Sequence, residues 1–164
     1  MLSTRIERPT MYGVELRAIL RKLDTMLGSS ERAQQNSATD MLMTLGDAVV
    51  KDGVGSFATH LMDIWQAERL EELSGEDQIE ILANAHEKFW YRTGGLLAVS
   101  TKLHRQTESS KKKIASNALR TLEDLNFRLE VYQFISQKID SLITHIRNSR
   151  CSIKTDEIPI LSLA

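Results

Sequence analysis

Only two prolines occur in the 164 residues, Pro9 and Pro159, and they stand near the two ends. No segment between them carries the missing N–H and the ring clash that break a helix. Helices can therefore run long across the interior, and a loop-rich all-β domain is disfavoured. Cysteine is rarer still. Cys151 is alone, which excludes an intrachain disulfide and a cysteine metal site. Charge of one sign is lacking too: the formal net charge is −1, so bulk charge points to neither nucleic acid nor a membrane. No apolar run approaches the length of a membrane span. The first residues lack the apolar core of a signal peptide, and no Asn-X-Ser/Thr acceptor is present. Together these absences predict a soluble chain in a reducing, cytoplasmic compartment, without membrane attachment.

What is present is ordinary globular material, 41% hydrophobic and 26% charged. A chain of this length suits one domain and can bury about 68–70% of its extended-chain surface. The expected organisation is a single helical domain over residues 1–150, followed by an extended or disordered tail over 151–164. The tail changes character, with Asp156-Glu157 leading into Ile158-Pro159-Ile160-Leu161-Ser162-Leu163.

Apolar residues recur at helical spacing almost throughout. Tyr12, Leu16, Ile19, Leu20, Leu23 and Leu27 share a face behind Pro9, with Gly28 as a stop. Polar residues 28–39 read as a connection. A second helix, capped by Ser37 or Thr39, carries Met41, Leu42, Leu45, Ala48 and Val49, and the Gly53-Val54-Gly55 turn ends it. A third, capped by Ser56, carries Phe57, Leu61, Ile64 and Trp65 and is expected to run on through Leu73. Ser74 and Asp77 form an S-x-x-D start signal for a fourth. Its Ile79, Leu82, His86, Phe89, Thr93, Leu96, Ser100 and Leu103 keep alternate steps of three and four, the seam of a helix packed nearly parallel or antiparallel to another. Gly94-Gly95 interrupts that seam. Two mid-helix glycines cost about 1 kcal/mol each relative to alanine, so the helix kinks there, the backbone approaches a neighbour, or one helix ends at Thr93 and another follows.

The clearest element is the fifth, from about Ser110 to Arg147. Leu122, Leu125, Leu129, Tyr132, Ser136, Ile139, Ile143 and Ile146 form its seam. A second stripe, Phe127, Val131 and Phe134, lies about 140° around the helix from it at ~100° per residue. A helix apolar on two faces is either central in its domain or half-covered by another chain. The predicted fold is all-α: a helical bundle of about five helices with a long C-terminal antiparallel helical hairpin. The polar turn between the long helices would place Lys102, His104, Arg105, Lys111, Lys112 and Lys113 at the hairpin tip. The acidic stretch from Glu71 to Glu80 would then lie at the other end.

No motif specifies a chemistry. Glu-x-x-His and His-Glu-x-x-His are absent, so His60 with Asp63, and His86, read as structural rather than metal-binding histidines. Cys151 with His145 lacks the oriented third group that an activated nucleophile needs. Gly53-Val54-Gly55 and Gly94-Gly95 lack the remaining positions of a phosphate loop. Trp65, Phe89 and Trp90 read as core residues. The expectation is a non-catalytic helical adaptor or regulator, without cofactor or metal. It would bind a protein partner through Phe127, Val131 and Phe134 and self-associate, most simply as a homodimer. The alternative is a nucleic-acid-associated helical protein using the basic tip, Lys102, Arg105, Lys111, Lys112 and Lys113. Its affinity would be non-specific and salt-sensitive, with no interleaved aromatics for bases to stack on.

Overall fold

The computed structural model describes residues 13–28 and 37–149. Among them are five α-helices: α1 (Gly13–Gly28), α2 (Ser37–Asp52), α3 (Phe57–Ala67), α4 (Gly75–Thr107) and α5 (Lys112–Ser149). No strand is present among the described residues. The fold is thus an all-α bundle, and α4 and α5 form the long antiparallel hairpin that the two seams predict. At 1.5 Å per residue they are roughly 50 and 57 Å long. Residues 150–164, including Cys151 and the expected tail, lie outside the described residues.

Local chemistry accounts for the ends of α4. The Ser74 hydroxyl accepts from the Asp77 backbone N–H at 3.2 Å, satisfying one orphan donor of the first turn. Glu76 and Asp77 meet the positive end of the helix, and His104 and Arg105 the negative end. The helix is unbroken across Gly94-Gly95. That overturns an end at Thr93, and the close approach to a neighbour occurs at Gly95 and not at Gly94. A Cβ added there would overlap Cδ2 of Leu23 on α1, whereas at Gly94 it would meet nothing within 4 Å.

The third helix is shorter than its periodicity predicts. It stops at Ala67, and a 3-10 turn follows over Leu70–Glu72. Arg69 is the cause. Its backbone is left-handed, at φ 53°, and such a residue cannot continue a right-handed helix. Its guanidinium donates to Glu72 Oε1 at 2.7 Å, and that contact holds its pKa above the usual arginine value.

One hydrophobic core runs the length of the hairpin. Leu82, Ala85, Phe89, Leu96 and Leu103 of α4 meet Leu122, Leu125, Leu129, Tyr132, Ile139, Ile143 and Ile146 of α5, all of them buried. Phe89 and Tyr132 pack edge-on, with centroids 5.5 Å apart. Away from the tip, α2 and α3 cover this pair of helices. Gly46 of α2 lies against the Phe89 and Tyr132 rings, Arg128 donates to Asp47 at 2.9 Å, and Phe57 of α3 meets Phe134 edge-on at 5.5 Å. Gln78 is buried and donates to the Leu70 carbonyl at 2.7 Å, tying the 3-10 turn to α4. Nearer the tip the covering element is α1, which buries Leu16 and half-buries Ile19, Leu20 and Leu23.

Candidate interaction surface

The hairpin turn brings all five cations of the expected basic tip to one end. Lys102 and Arg105 lie in the last turns of α4, and Lys111, Lys112 and Lys113 open α5; every one is exposed. The turn is held locally, with the Lys111 N–H donating to Ser109 Oγ at 3.2 Å. Towards the other end of α4 stand Glu71, Glu72, Glu76, Asp77 and Glu80, all exposed, with Glu80 about 33 Å from Lys102 and Glu76 about 44 Å from Arg105 by helix rise. The chain is electrically polarised along the hairpin although its net charge is near zero.

Helix stability does not explain the lysines. They sit at the positive end of the α5 macrodipole, and the first turn of α5 has no acidic residue. Replacing Lys112 and Lys113 by glutamate is therefore expected to raise stability by about 0.3–1 kcal/mol each at low salt. The urea midpoint measures this, and an unchanged or lowered midpoint would show that these lysines support the fold.

The stripe expected to bind a partner lies elsewhere than its pattern suggested. Phe127 and Val131 are buried, at 6% and 0% exposure, and Phe134 is half-buried. The Phe134 ring has Phe57 on its edge and the Lys138 ammonium 5.3 Å from its centroid. The stripe is covered within the monomer, in the region packed by α2 and α3. As an exposed partner surface, Phe127, Val131 and Phe134 are corrected to core and core margin. A second apolar face on α5 required a cover, and the chain supplies it itself.

The exposed apolar surface is instead on α4. Trp90, expected in the core with Trp65 and Phe89, is 68% exposed, while the other two are fully buried. Tyr91 is 51% and Leu97 49% exposed. Trp90, Gly94, Leu97 and Thr101 recur in steps of four, three and four, so they form one stripe along the helix. Gly94 leaves that stripe flat at its middle, with no side chain and nothing within 4 Å of an added Cβ. The stripe is each seam residue's successor, ~100° around from Phe89, Thr93, Leu96 and Ser100. That register is the sequence signal that distinguishes Trp90 from its buried neighbour Phe89. On α5, Leu119 is also half exposed, at 51%.

The remaining candidates are placed as follows. Among the described residues no three His, Cys, Asp or Glu side chains gather around a point. His60 Nε2 pairs with Asp52 at 2.9 Å at the partly exposed junction of α2 and α3, and His86 is half-buried beside the seam. His145 is exposed, and Cys151 lies outside the described residues. Gly53, at φ 97°, serves the turn between α2 and α3, where its carbonyl accepts from the Ser56 hydroxyl at 2.6 Å. No helix among the described residues is long and apolar enough to cross a membrane. Comparison with protein-family models, with curated proteins and with solved structures finds no match for this chain.

Proposed function

We propose that this chain is a non-catalytic helical adaptor or regulator that binds a protein partner, and a second copy of itself, through the outer stripe of α4. One observation carries the reading: Trp90 projects at 68% exposure on the same stripe as Gly94 and Leu97. Single exposed leucines are common and need no explanation. A tryptophan and a leucine aligned across a side-chain-free step are different, because a partner helix can lie close against Gly94 with an anchor on either side. Tryptophan is also the residue type most enriched among interface hot spots. The cations at the tip then set orientation and association rate rather than affinity.

The test uses the two tryptophans as internal controls. Trp65 is fully buried and Trp90 is exposed. With Trp65→Phe, Trp90 becomes the only indole. Its quenching by acrylamide is expected to fall as protein concentration rises, in step with a doubling of mass by light scattering. Trp90→Asp with Leu97→Asp should leave helicity and melting unchanged and abolish the mass increase. A wild-type chain whose mass and Trp90 quenching are both independent of concentration would remove the self-association. A double variant that associates as well as wild type would remove the surface.

A second reading rests on the five exposed cations gathered at the tip. Trp90 and Tyr91 stand eleven or more residues below Lys102 along α4, ~16 Å or more by helix rise. Contact with nucleic acid there would therefore be to phosphates alone. Retention on heparin or duplex DNA that falls steeply with salt, and is lost on replacing Lys111, Lys112 and Lys113 by glutamate, would favour this reading.

A further inference from the structure

The outer stripe of α4 continues beyond Trp90 and Thr101 in steps of three and four, back through Glu87, Ala83, Glu80 and Glu76 and forward to Arg105. At ~100° per residue all of these positions fall within about 100° of arc, one face of the helix. Every one is exposed except Glu87, which is half-buried. Among the described residues, α1, α2 and α3 therefore leave this face open along nearly the whole of α4. Its charge is ordered. The carboxylates of α4, Glu76, Asp77, Glu80 and Glu87, all precede Trp90, whereas Lys102 and Arg105 stand near the end of the helix. Its relief is ordered too. Trp90 projects at 68% exposure, and one turn later Gly94 leaves a gap, with nothing within 4 Å of an added Cβ. The projection and the gap lie on either side of residue 92, close to the middle of α4 (Gly75–Thr107).

We propose that two copies of this chain pair antiparallel through α4, about a twofold axis at residue 92, with each Trp90 over the partner's Gly94 and each Arg105 beside the partner's Glu80. This rests on the reading of the stripe as a self-association surface, and adds the direction and register of the pair. About such an axis each residue faces the one equally far along the helix on the other side. Position 90 then faces 94 and 94 faces 90, so a single register fills both gaps. Position 105 faces 79, one residue from Glu80. Ala83 faces Thr101, so small side chains meet on either side of the centre, and Leu97 faces Glu87 at the margin of the face. A parallel pair in register does the opposite. Each residue meets its own copy, so the two Trp90 rings coincide, the two gaps face each other, and like charges meet at both ends, which disfavours that pairing. A staggered parallel pair fills one gap, leaves the other empty and does not close. Shape and charge thus select the antiparallel pair independently.

The test places a nitroxide label on Gln106→Cys in a full chain that also carries Cys151→Ser. Gln106 is exposed and about 160° around α4 from Trp90, so the label stays clear of the interface. The antiparallel pair separates two such labels by about 42 Å along the helices alone, against roughly 20–25 Å across a parallel pair. Pulsed electron–electron resonance is expected to give a distance above about 40 Å wherever light scattering gives a doubled mass. Glu80→Lys alone and Arg105→Glu alone should each weaken dimerisation about tenfold at low salt, because the twofold axis counts each change twice. An equal mixture of those two variants should associate as tightly as wild type, since both contacts are then restored with their signs exchanged. Added salt should shrink the differences. A doubled mass with the short label distance overturns the antiparallel pair and leaves the self-association surface standing. A doubled mass that neither charge reversal weakens overturns the register. A mass that stays monomeric at every concentration overturns this inference together with the reading on which it rests.

Discussion

Gly46→Ala is expected to destabilise the protein by about 1–3 kcal/mol, although alanine is the better helix former by roughly 1 kcal/mol. Gly46 is buried in the middle of α2. A Cβ there would stand 2.9 Å from Phe89 Cε1 and 3.0 Å from Tyr132 Cε1. Neither ring can give way cheaply. Both are fully buried, and they lock edge-on at 5.5 Å as the aromatic pair of the α4–α5 seam. The added methyl must lift α2 off the hairpin, which also loosens the Arg128–Asp47 contact beside it. Gly94→Ala is the matched control, a mid-helix glycine with open space around it. There the propensity term acts alone and stability should rise by about 0.5–1 kcal/mol. Gly95→Ala should fall between the two, because the atom in its way belongs to a half-buried, flexible Leu23. Urea midpoints in the order Gly94→Ala, wild type, Gly46→Ala verify the packing. A gain at Gly46 equal to that at Gly94 would show that α2 does not lie on the Phe89–Tyr132 pair.

The hairpin was legible in the sequence because its signal is redundant. Each long helix repeats its seam over many turns, the Ser74 cap marks a start, and the polar stretch at 106–111 marks a reversal. The misses occurred where one local feature overrides a period. Leu70 and Leu73 extend the apolar pattern of the third helix, yet a left-handed Arg69 ends it, and arginine carries no sequence mark for that conformation. Trp90 follows Phe89 directly, and hydrophobicity cannot say which of two adjacent aromatics faces inward. Only the register of 89, 93, 96 and 100 separates them. Gly94 and Gly95 present the same difficulty, since one faces α1 and the other faces open space.

Ambiguity of a different kind attached to Phe127, Val131 and Phe134. Periodicity reveals that a face is apolar, not what covers it, because the same residues would suit the chain's own helices or a partner's. The covering helices are short, 16 and 11 residues against 33 and 38 in the hairpin. They reach only part of it. Among the described residues, one consequence is the division into a half covered by α2 and α3 and a tip half where α1 alone packs. Leu119 belongs to that tip half. The exposed stripe of α4 extends into it from Trp90. Surface left over for binding is thus set by the mismatch in helix length, and the core residues of the hairpin do not predict it.

Val131→Asp should consequently unfold the monomer rather than merely separate it from a partner. Val131 has no exposed surface. The substitution forfeits the burial of the valine side chain, about 1.5–3 kcal/mol, and places a carboxylate where its charged form is strongly disfavoured by desolvation. The combined cost, about 4 kcal/mol or more, approaches the whole stability of a typical domain, roughly 5–15 kcal/mol. Circular dichroism should show diminished helicity and a broad or absent melting transition. Phe134→Ala is the graded comparison. Its ring is half-buried between Phe57 and the Lys138 ammonium, and its removal should cost about 1–2 kcal/mol, less than the 3–5 kcal/mol of a fully buried phenylalanine. The two readings of the stripe therefore predict opposite results for one substitution. If Val131 faced a partner across an otherwise intact bundle, Val131→Asp would keep the melting curve of the wild type and change only the assembled mass. A preserved, cooperative melt would place α2 and α3 elsewhere and return the stripe to the surface.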